Sequence, residues 1–341
     1  MIHTPTSNAK RAKPAKPGTL LCFAALAGFA FLVGSASTAH AGERYALIVT
    51  GASGADAYEQ KYQTWRTSFT ATLVDGFKYD PQRIITLAER EGPGVQKATR
   101  ENVQRSLADL RKRLTREDQL LVLLIGHGTS LDGDEAKFNL VGPDLTAAEW
   151  TDLLKPLPGR LVFVNSTGAS FPFLRRVAAR GRVVLTATDS AAQQFETVFP
   201  EFFIKAFADE AADLDKNGRV SVWEAFTYAS QAVKQSFEQK GTLVTERAVI
   251  DDNGDGVGKE ATAAGADGVL AKTTFLDAEP AASASNPAAA ALERQRIALE
   301  AQIEELKGRK DQLAPADYDA QLEKLAIELA RISAQIRSTA K

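Results

Sequence analysis

The run Leu120-Leu121-Val122-Leu123-Leu124-Ile125-Gly126-His127-Gly128 constrains the fold more than any other segment. Six consecutive apolar residues without polar alternation do not suit a sheet that faces water on one side. They ask for a strand covered on both faces, as in parallel sheets packed between helices. Shorter apolar segments at 45–50, 83–87, 161–164 and 182–188 repeat the pattern. Helical patterns lie between them. Within 57–75, Trp65, Phe69 and Leu73 recur every four residues, and Gly76 stops the run. Thr99 can cap a helix whose buried face is Val103, Leu107, Leu110 and Leu114. Thr146 and Glu149 have capping-box spacing for a helix toward Leu154, and a further helix runs to Arg180 before Gly181. Strands alternating with amphipathic helices predict an α/β fold, a mostly parallel sheet with helices on both faces. Ligands in such sheets bind at the carboxyl ends of the strands. Those ends carry Gly51, His127, Asn165-Ser166-Thr167 and Thr188-Asp189.

The first 41 residues read as an export signal. Lys10, Arg11, Lys13 and Lys16 form a basic start, residues 20–33 an apolar stretch, and Ala39-His40-Ala41 a small-residue cleavage site. The stretch is shorter than the ~20 residues a membrane span needs, so no span is expected in the mature chain. A periplasmic or extracellular location follows. Cleavage removes four basic residues and no acidic one, moving the formal net charge from −2 to −6. That balance argues against a nucleic-acid partner. The single cysteine, Cys22, and two of the three histidines, His3 and His40, go with the signal. Disulfides, thiolate zinc, iron–sulfur clusters and CxxC redox chemistry are thereby excluded from the mature chain. Any metal is expected to be a hard cation held by oxygen.

The segment Asp213-Leu214-Asp215-Lys216-Asn217-Gly218-Arg219-Val220-Ser221-Val222-Trp223-Glu224 fits an EF-hand calcium loop at every ligand position. Asp213, Asp215 and Asn217 supply side-chain oxygens at positions 1, 3 and 5. Gly218 allows the turn, Arg219 offers its carbonyl, Ser221 stands at position 9, and Glu224 closes the shell at position 12. Helical patterns at 199–212 and 222–239 complete a helix–loop–helix over 199–239. A second acidic loop at 251–262 repeats the first half, with Asp251, Asn253, Asp255 and the Val257 carbonyl in ligand positions. Its position 12 is Thr262, and Glu260 is the only substitute within the loop. Ca2+ is the expected ion. A weak extracellular-type site, about 10⁻⁴ to 10⁻³ M, stays filled outside the cytosol and stabilises rather than senses.

Residues 277–291 are rich in Ala, Pro and Ser and read as a linker. Beyond it, 292–338 carries Leu292, Leu299, Leu306 and Leu313 at seven-residue steps, a break at Pro315, then Tyr318, Leu322, Leu325, Leu329, Ile332 and Ile336. Two readings stand. The segment is a helical hairpin folded on itself or on the main domain, or a coiled coil for self-association or partner docking.

Three segments within 42–276 carry a family resemblance: Tyr45-Ala46-Leu47-Ile48-Val49-Thr50-Gly51, Ile125-Gly126-His127-Gly128, and Val162-Phe163-Val164-Asn165-Ser166-Thr167-Gly168-Ala169-Ser170. In order and spacing they resemble the caspase/legumain-like cysteine peptidases, over roughly 44–210 and more loosely to about 270. In that family the third strand ends in His-Gly and the fourth in a motif of the kind Asp-Ala-Cys-x-Ser-Gly. The resemblance implies the fold and places the nucleophile at Thr167, beside Ser166. The departure is chemical. A thiol ionises near pH 8.5 and its anion is strongly nucleophilic, whereas a hydroxyl needs a base oriented by a third group. Asp132, Asp134 and Asp189 are the carboxylates that could orient His127. The expectation is a pseudopeptidase that binds a peptide or protein partner or serves as a scaffold. The alternative is a hydrolase with His127 as base and Thr167 or Ser166 as nucleophile. Thr50-Gly51-Ala52-Ser53-Gly54-Ala55-Asp56-Ala57 also resembles the TGxxGxxG turn of dinucleotide-binding short-chain dehydrogenases. Ala57 replaces the third glycine, Asp56 places a negative charge where the pyrophosphate sits, and no Tyr-x-x-x-Lys pair follows.

Overall fold

The computed structural model of this protein describes residues 42–130, 135–263, 265, 267–278 and 287–339. Residues 1–41, expected to be an export signal, and Asp132 and Asp134 lie outside them. The elements run β1 (Arg44–Thr50), α1 (Asp56–Ala71), β2 (Ile84–Ala88), β3 (Val95–Lys97), α2 (Arg100–Arg113), β4 (Gln119–Ile125), β5 (Gly128–Ser130), β6 (Ala136–Phe138), β7 (Leu145–Thr146), α3 (Ala147–Leu154), β8 (Arg160–Asn165), α4 (Phe171–Val177) and β9 (Arg182–Thr186). They continue with α5 (Phe199–Ala206), α6 (Val222–Gln239), β10 (Val249–Asp251), α7 (Val269–Lys272), α8 (Pro287–Gly308) and α9 (Pro315–Thr339). Seven strands form one sheet in the order β10-β9-β8-β4-β1-β2-β3. All its pairs are parallel except β10 against β9. β5, β6 and β7 make a small antiparallel sheet of their own.

The continuous apolar strand is central and fully covered, as its composition requires. Leu121, Leu123 and Ile125 face a layer formed by Trp65 and Phe69 of α1, Phe199 and Phe203 of α5, and Phe226 of α6. Leu120, Val122 and Leu124 face the other layer, formed by Val103, Leu107 and Leu110 of α2, Trp150 of α3 and Phe173 of α4. The two-residue strand period assigns alternate side chains to opposite cores. Each fully buried Leu, Ile or Phe contributes roughly 1.5–3 kcal/mol. Thr99 caps α2 through the Asn102 amide at 3.3 Å, and Thr146 and Glu149 form the capping box of α3.

The chain leaves the centre of the sheet from β1 toward β2 and β3, then crosses to the other side of β1 to add β4, β8 and β9. The strand order reverses between β1 and β4. Thr50 lies opposite Ile125, so Gly51 and Gly126-His127 leave the sheet side by side at this switch point. Leu124 lies opposite Asn165, which sets Ser166 and Thr167 on the far side of β4.

Some elements differ from the sequence reading. The helix expected at 57–75 ends at Ala71 and widens into a π turn at Thr72–Gly76. The helix expected over 199–212 stops at Ala206, and a short turn, Glu210–Ala212, follows. Asp209 causes the restart, because its carboxylate accepts from the Ala211 amide at 3.0 Å and from Tyr228 at 2.7 Å. The antiparallel edge strand β10 and the small sheet β5–β7 were not expected. Within 277–291, Asp277 is held by Arg219 through two hydrogen bonds of 2.8 and 2.6 Å, and α8 begins at Pro287. α8 and α9 pack against each other, with Leu299, Leu306, Tyr318 and Ile332 buried. α8 also contacts α7. Among the described residues, no helix is long and apolar enough to cross a membrane.

Candidate functional site

His127 follows β4 through Gly126, whose φ is +146°. Its Nε2 lies 3.1 Å from the Tyr62 hydroxyl and 3.1 Å from the Ser53 carbonyl oxygen. The carbonyl can only accept, so the tautomer with a proton on Nε2 satisfies it. Tyr58 stands edge-on to the ring, 4.9 Å between centroids. Burial, with Glu196 and Tyr58 nearby, holds the Tyr62 phenol above the usual range, so it stays protonated. The half-buried imidazole thus packs against α1 and the β1 turn.

The two hydroxyls across β4 have separate partners. The Ser166 hydroxyl donates to the Leu124 carbonyl at 2.6 Å. The Thr167 hydroxyl lies 2.8 Å from Asn165 Oδ1 and 3.0 Å from the Gly168 carbonyl. The Thr167 amide also points to Asn165 Oδ1, at 3.2 Å. Both residues are fully buried. The loop after β9 closes over them. Thr197 donates to the Ser166 carbonyl, and the Ala169 amide donates to the Gln193 carbonyl at 2.5 Å. Among the described residues, no hydrogen bond joins His127 to Ser166 or Thr167. Their main chains nonetheless touch. A Cβ placed on Gly128 would stand 2.3 Å from the Gly168 carbonyl oxygen and 2.6 Å from Thr167 Oγ1. Asp189 lies 3.8 Å from Arg247 in an ion pair.

Beside this centre, at the ends of β1 and β2, lies a cleft of about 350 Å³. Ser53, Tyr62, Arg66, Glu89 and Arg90 are among the residues lining it. Glu89 accepts from the Ser53 amide at 2.9 Å and from its hydroxyl at 2.5 Å, and these bonds hold its carboxyl below the usual range. Arg66 reaches Thr50 at 3.3 Å, and burial lowers its pKa. The sequence reading missed Tyr62, Arg66 and Glu89. The four-residue steps Tyr58, Tyr62, Arg66 on one helix face were the available signal. The turn 50–57 does not present a free anion nest. The Gly51, Ala52 and Ser53 amides donate to Ile125, Asn139 and Glu89.

In the first acidic loop, oxygens of Asp213, Asp215 and Glu224 come within 4.8 Å of one another. Asp213 accepts from the Asn217 amide at 3.1 Å and the Gly218 amide at 2.9 Å. Asp215 accepts from the Asn217 amide at 3.0 Å, and Asn217 from the Arg219 amide at 2.9 Å. Glu224 Oε1 accepts from the Leu214 and Asp215 amides at 2.9 and 3.2 Å. Its Oε2 closes the capping box with Ser221 at the start of α6. Gly218 has φ +85°, where a side chain would be strained. Arg219 turns its guanidinium to Asp277 and leaves only its carbonyl for the loop. Burial and the neighbouring Glu224 raise the Asp215 pKa. The donor set is all oxygen and suits a hard cation such as calcium.

The second loop folds similarly. Asp251 accepts from the Gly254 and Gly256 amides at 2.8 and 2.5 Å, Asn253 from Asp255 at 2.8 Å, and Asp255 from Val257 at 2.7 Å. Glu260 and Thr262 are exposed.

No protein-family model matches this sequence, and no curated protein matches it. The solved structures similar to the chain include two. One is the crystal structure of a protein from Geobacter sulfurreducens, at 13% identity and a TM-score of 0.40, covering 61% of this chain and 92% of that one. The other is the Drosophila initiator caspase Dronc, at 14% identity and a TM-score of 0.39, covering 64% of this chain and 83% of that one. The α/β class rests on the sheet order and register given above.

Proposed function

We propose that this chain is an exported, calcium-supported binding or scaffold protein, built on a caspase/legumain-like domain that has lost hydrolytic chemistry. One observation carries the reading. Ser166 and Thr167 are fully buried, and each hydroxyl is already hydrogen-bonded to an oxygen acceptor inside the protein. A hydroxyl nucleophile needs a base within reach to remove its proton. Among the described residues no hydrogen bond joins the imidazole to either hydroxyl, and its Nε2 lies against Tyr62 and the Ser53 carbonyl. The Thr167 amide, a donor that could receive a developing oxyanion, is bonded to Asn165. The cleft beside Arg66 and Glu89 offers both charge signs and has room for a peptide side chain, which supports a peptide or protein partner.

The calcium part of the proposal rests on the loop spacing of Asp213, Asp215, Asn217, Arg219, Ser221 and Glu224 in the sequence, and is supported by oxygens of Asp213, Asp215 and Glu224 lying within 4.8 Å of one another. Its role is to lock α6 onto the domain. Treatment with a fluorophosphonate or an acylating peptide probe across pH 6–9 is expected to leave the protein unlabelled. Labelling that disappears in Thr167→Ala or His127→Ala would establish the hydrolase instead. A melting temperature that is the same in calcium and in chelator would reject the stabilising ion.

A further inference from the structure

The second acidic loop lacks a carboxylate at position 12, yet the fold delivers one from outside the loop. Asp267 lies sixteen residues beyond Asp251 in the chain. Its Oδ1 accepts from the Asp252 amide at 3.0 Å and the Asn253 amide at 3.4 Å. These are positions 2 and 3 of the second loop. In the first loop, Glu224 Oε1 accepts from the amides of Leu214 and Asp215, again positions 2 and 3. The correspondence extends around the turn. Position 1 accepts from position 6 in both loops (Asp213 from Gly218, Asp251 from Gly256). Position 3 accepts from position 5, and position 5 from position 7, in both. Positions 4 and 6 have positive φ in both, at Lys216 and Gly218 and at Gly254 and Gly256.

The second oxygen of Asp267 points to a ligand. Asp267 is 3% exposed, and its Oδ2 is buried without a hydrogen-bond partner. A buried carboxylate oxygen left unpaired carries a large desolvation cost. Its sibling oxygen is fixed on the first turn of the acidic loop, and Asp251 and Asp252 beside it are themselves buried. Asp252 carries the same sign of charge and is already engaged. It caps the start of α7, accepting from the Gly268 amide at 2.8 Å and the Ala271 amide at 2.7 Å. Asp251, Asp252 and Asp267 thus bring three buried carboxylates to one place, and a bound cation would offset their like charge.

We propose that residues 251–257 and Asp267 form a second divalent-cation site, with Asp267 in the closing role that Glu224 has in the first. Its ligands are the side chains of Asp251, Asn253, Asp255 and Asp267 and the carbonyl of Val257, all oxygen donors of the kind calcium takes. The site joins β10 to α7, so its ion ties the edge strand to the segment against which α8 packs. The choice of ion rests on the calcium reading of the first loop, and the test separates the two.

The full chain, stripped with chelator, is titrated with calcium chloride in a calorimeter, and folding of each variant is checked by circular dichroism. Two equivalents are expected in the unaltered chain, and one each in Asp267→Asn and Glu224→Gln. Asp255→Ala, at an exposed position that leaves the core untouched, is expected to weaken the same equivalent as Asp267→Asn by roughly tenfold or more. It carries the test should Asp267→Asn fail to fold. Two equivalents of unchanged affinity in folded Asp267→Asn, or in Asp255→Ala, overturn the proposal. A single equivalent in the unaltered chain, abolished by Glu224→Gln, overturns it while leaving the first-loop reading intact. No uptake at all rejects both.

Discussion

The strand ends around His127 and the two acidic loops present opposite electrostatic situations. At the strand ends, the Ser166 and Thr167 hydroxyls and His127 Nε2 are already engaged inside the protein. Ser166 and Thr167 have oxygen acceptors, and His127 has Tyr62 and the Ser53 carbonyl. In the loops, carboxylate oxygens gather within 4.8 Å of one another, or stand buried without a partner, as at Asp267 Oδ2. Among the described residues, none of Asp213, Asp215 and Glu224 is ion-paired with a lysine or arginine. The difference teaches where to look for function. A satisfied polar group is bound into the fold, while a like-charged cluster without counter-charge asks for something from outside.

Glu246 gives the sharpest and largest test, because it stands between these cases. Both its oxygens accept backbone amides, from Val198 at 2.9 Å and Phe199 at 2.8 Å. It nonetheless lies buried, and burial pushes its pKa from 4.5 up to about 7. A folded value above the unfolded one means the folded state holds the proton longer. The stability it contributes is therefore fully present below pH 4.5 and is lost as pH rises toward 7. The expected loss is about 3 kcal/mol. Urea unfolding at several pH values should show this slope in the unaltered chain and a flatter one in Glu246→Gln. Identical slopes would mean that two amide bonds do balance burial, and the contrast drawn here would fail.

Calcium is expected to come next. At free calcium a hundredfold above Kd, the first loop alone should add about 2.7 kcal/mol of stability. Chelator should remove it, and Glu224→Gln should abolish this first-loop share of the chelator effect. Gly128→Ala probes the strand ends by steric means. Its methyl would meet the Gly168 carbonyl and Thr167 Oγ1, at a cost of roughly 1–3 kcal/mol. Unchanged unfolding in urea would show that the main chains of the two motifs are not in contact. The smallest effect belongs to Thr167→Cys. Replacing one buried hydrogen bond should lower stability by about 1 kcal/mol and create no peptidase activity, because the slot is enclosed and His127 faces α1. Turnover of a fluorogenic peptide by that variant would reopen the catalytic reading.

Local pattern carried much of this in advance. The apolar run of β4 foretold a doubly covered parallel strand, and Thr146 and Glu149 foretold the start of α3. Asp213, Asp215 and Glu224, within twelve residues of chain, bring carboxylate oxygens within 4.8 Å of one another. All depend on residues within a turn or two of each other, where backbone geometry fixes who meets whom. Asp209 shows the limit even there. One carboxylate accepting from the Ala211 amide ended a helix that hydrophobic spacing would have continued to 212.

What sequence alone determined is therefore the main parallel strands and the helices between them, the inward faces of those helices, and the arrival of His127, Ser166 and Thr167 at strand ends. Only the tertiary structure decided what those residues do. Register set His127 against Tyr62 and Ser53, set the Ser166 hydroxyl on the Leu124 carbonyl, and brought Asp267 to the turn at Asp252 and Asn253. Hydrogen bonds and charges act over a few ångströms in space, and separation along the chain does not encode that distance until the sheet has formed.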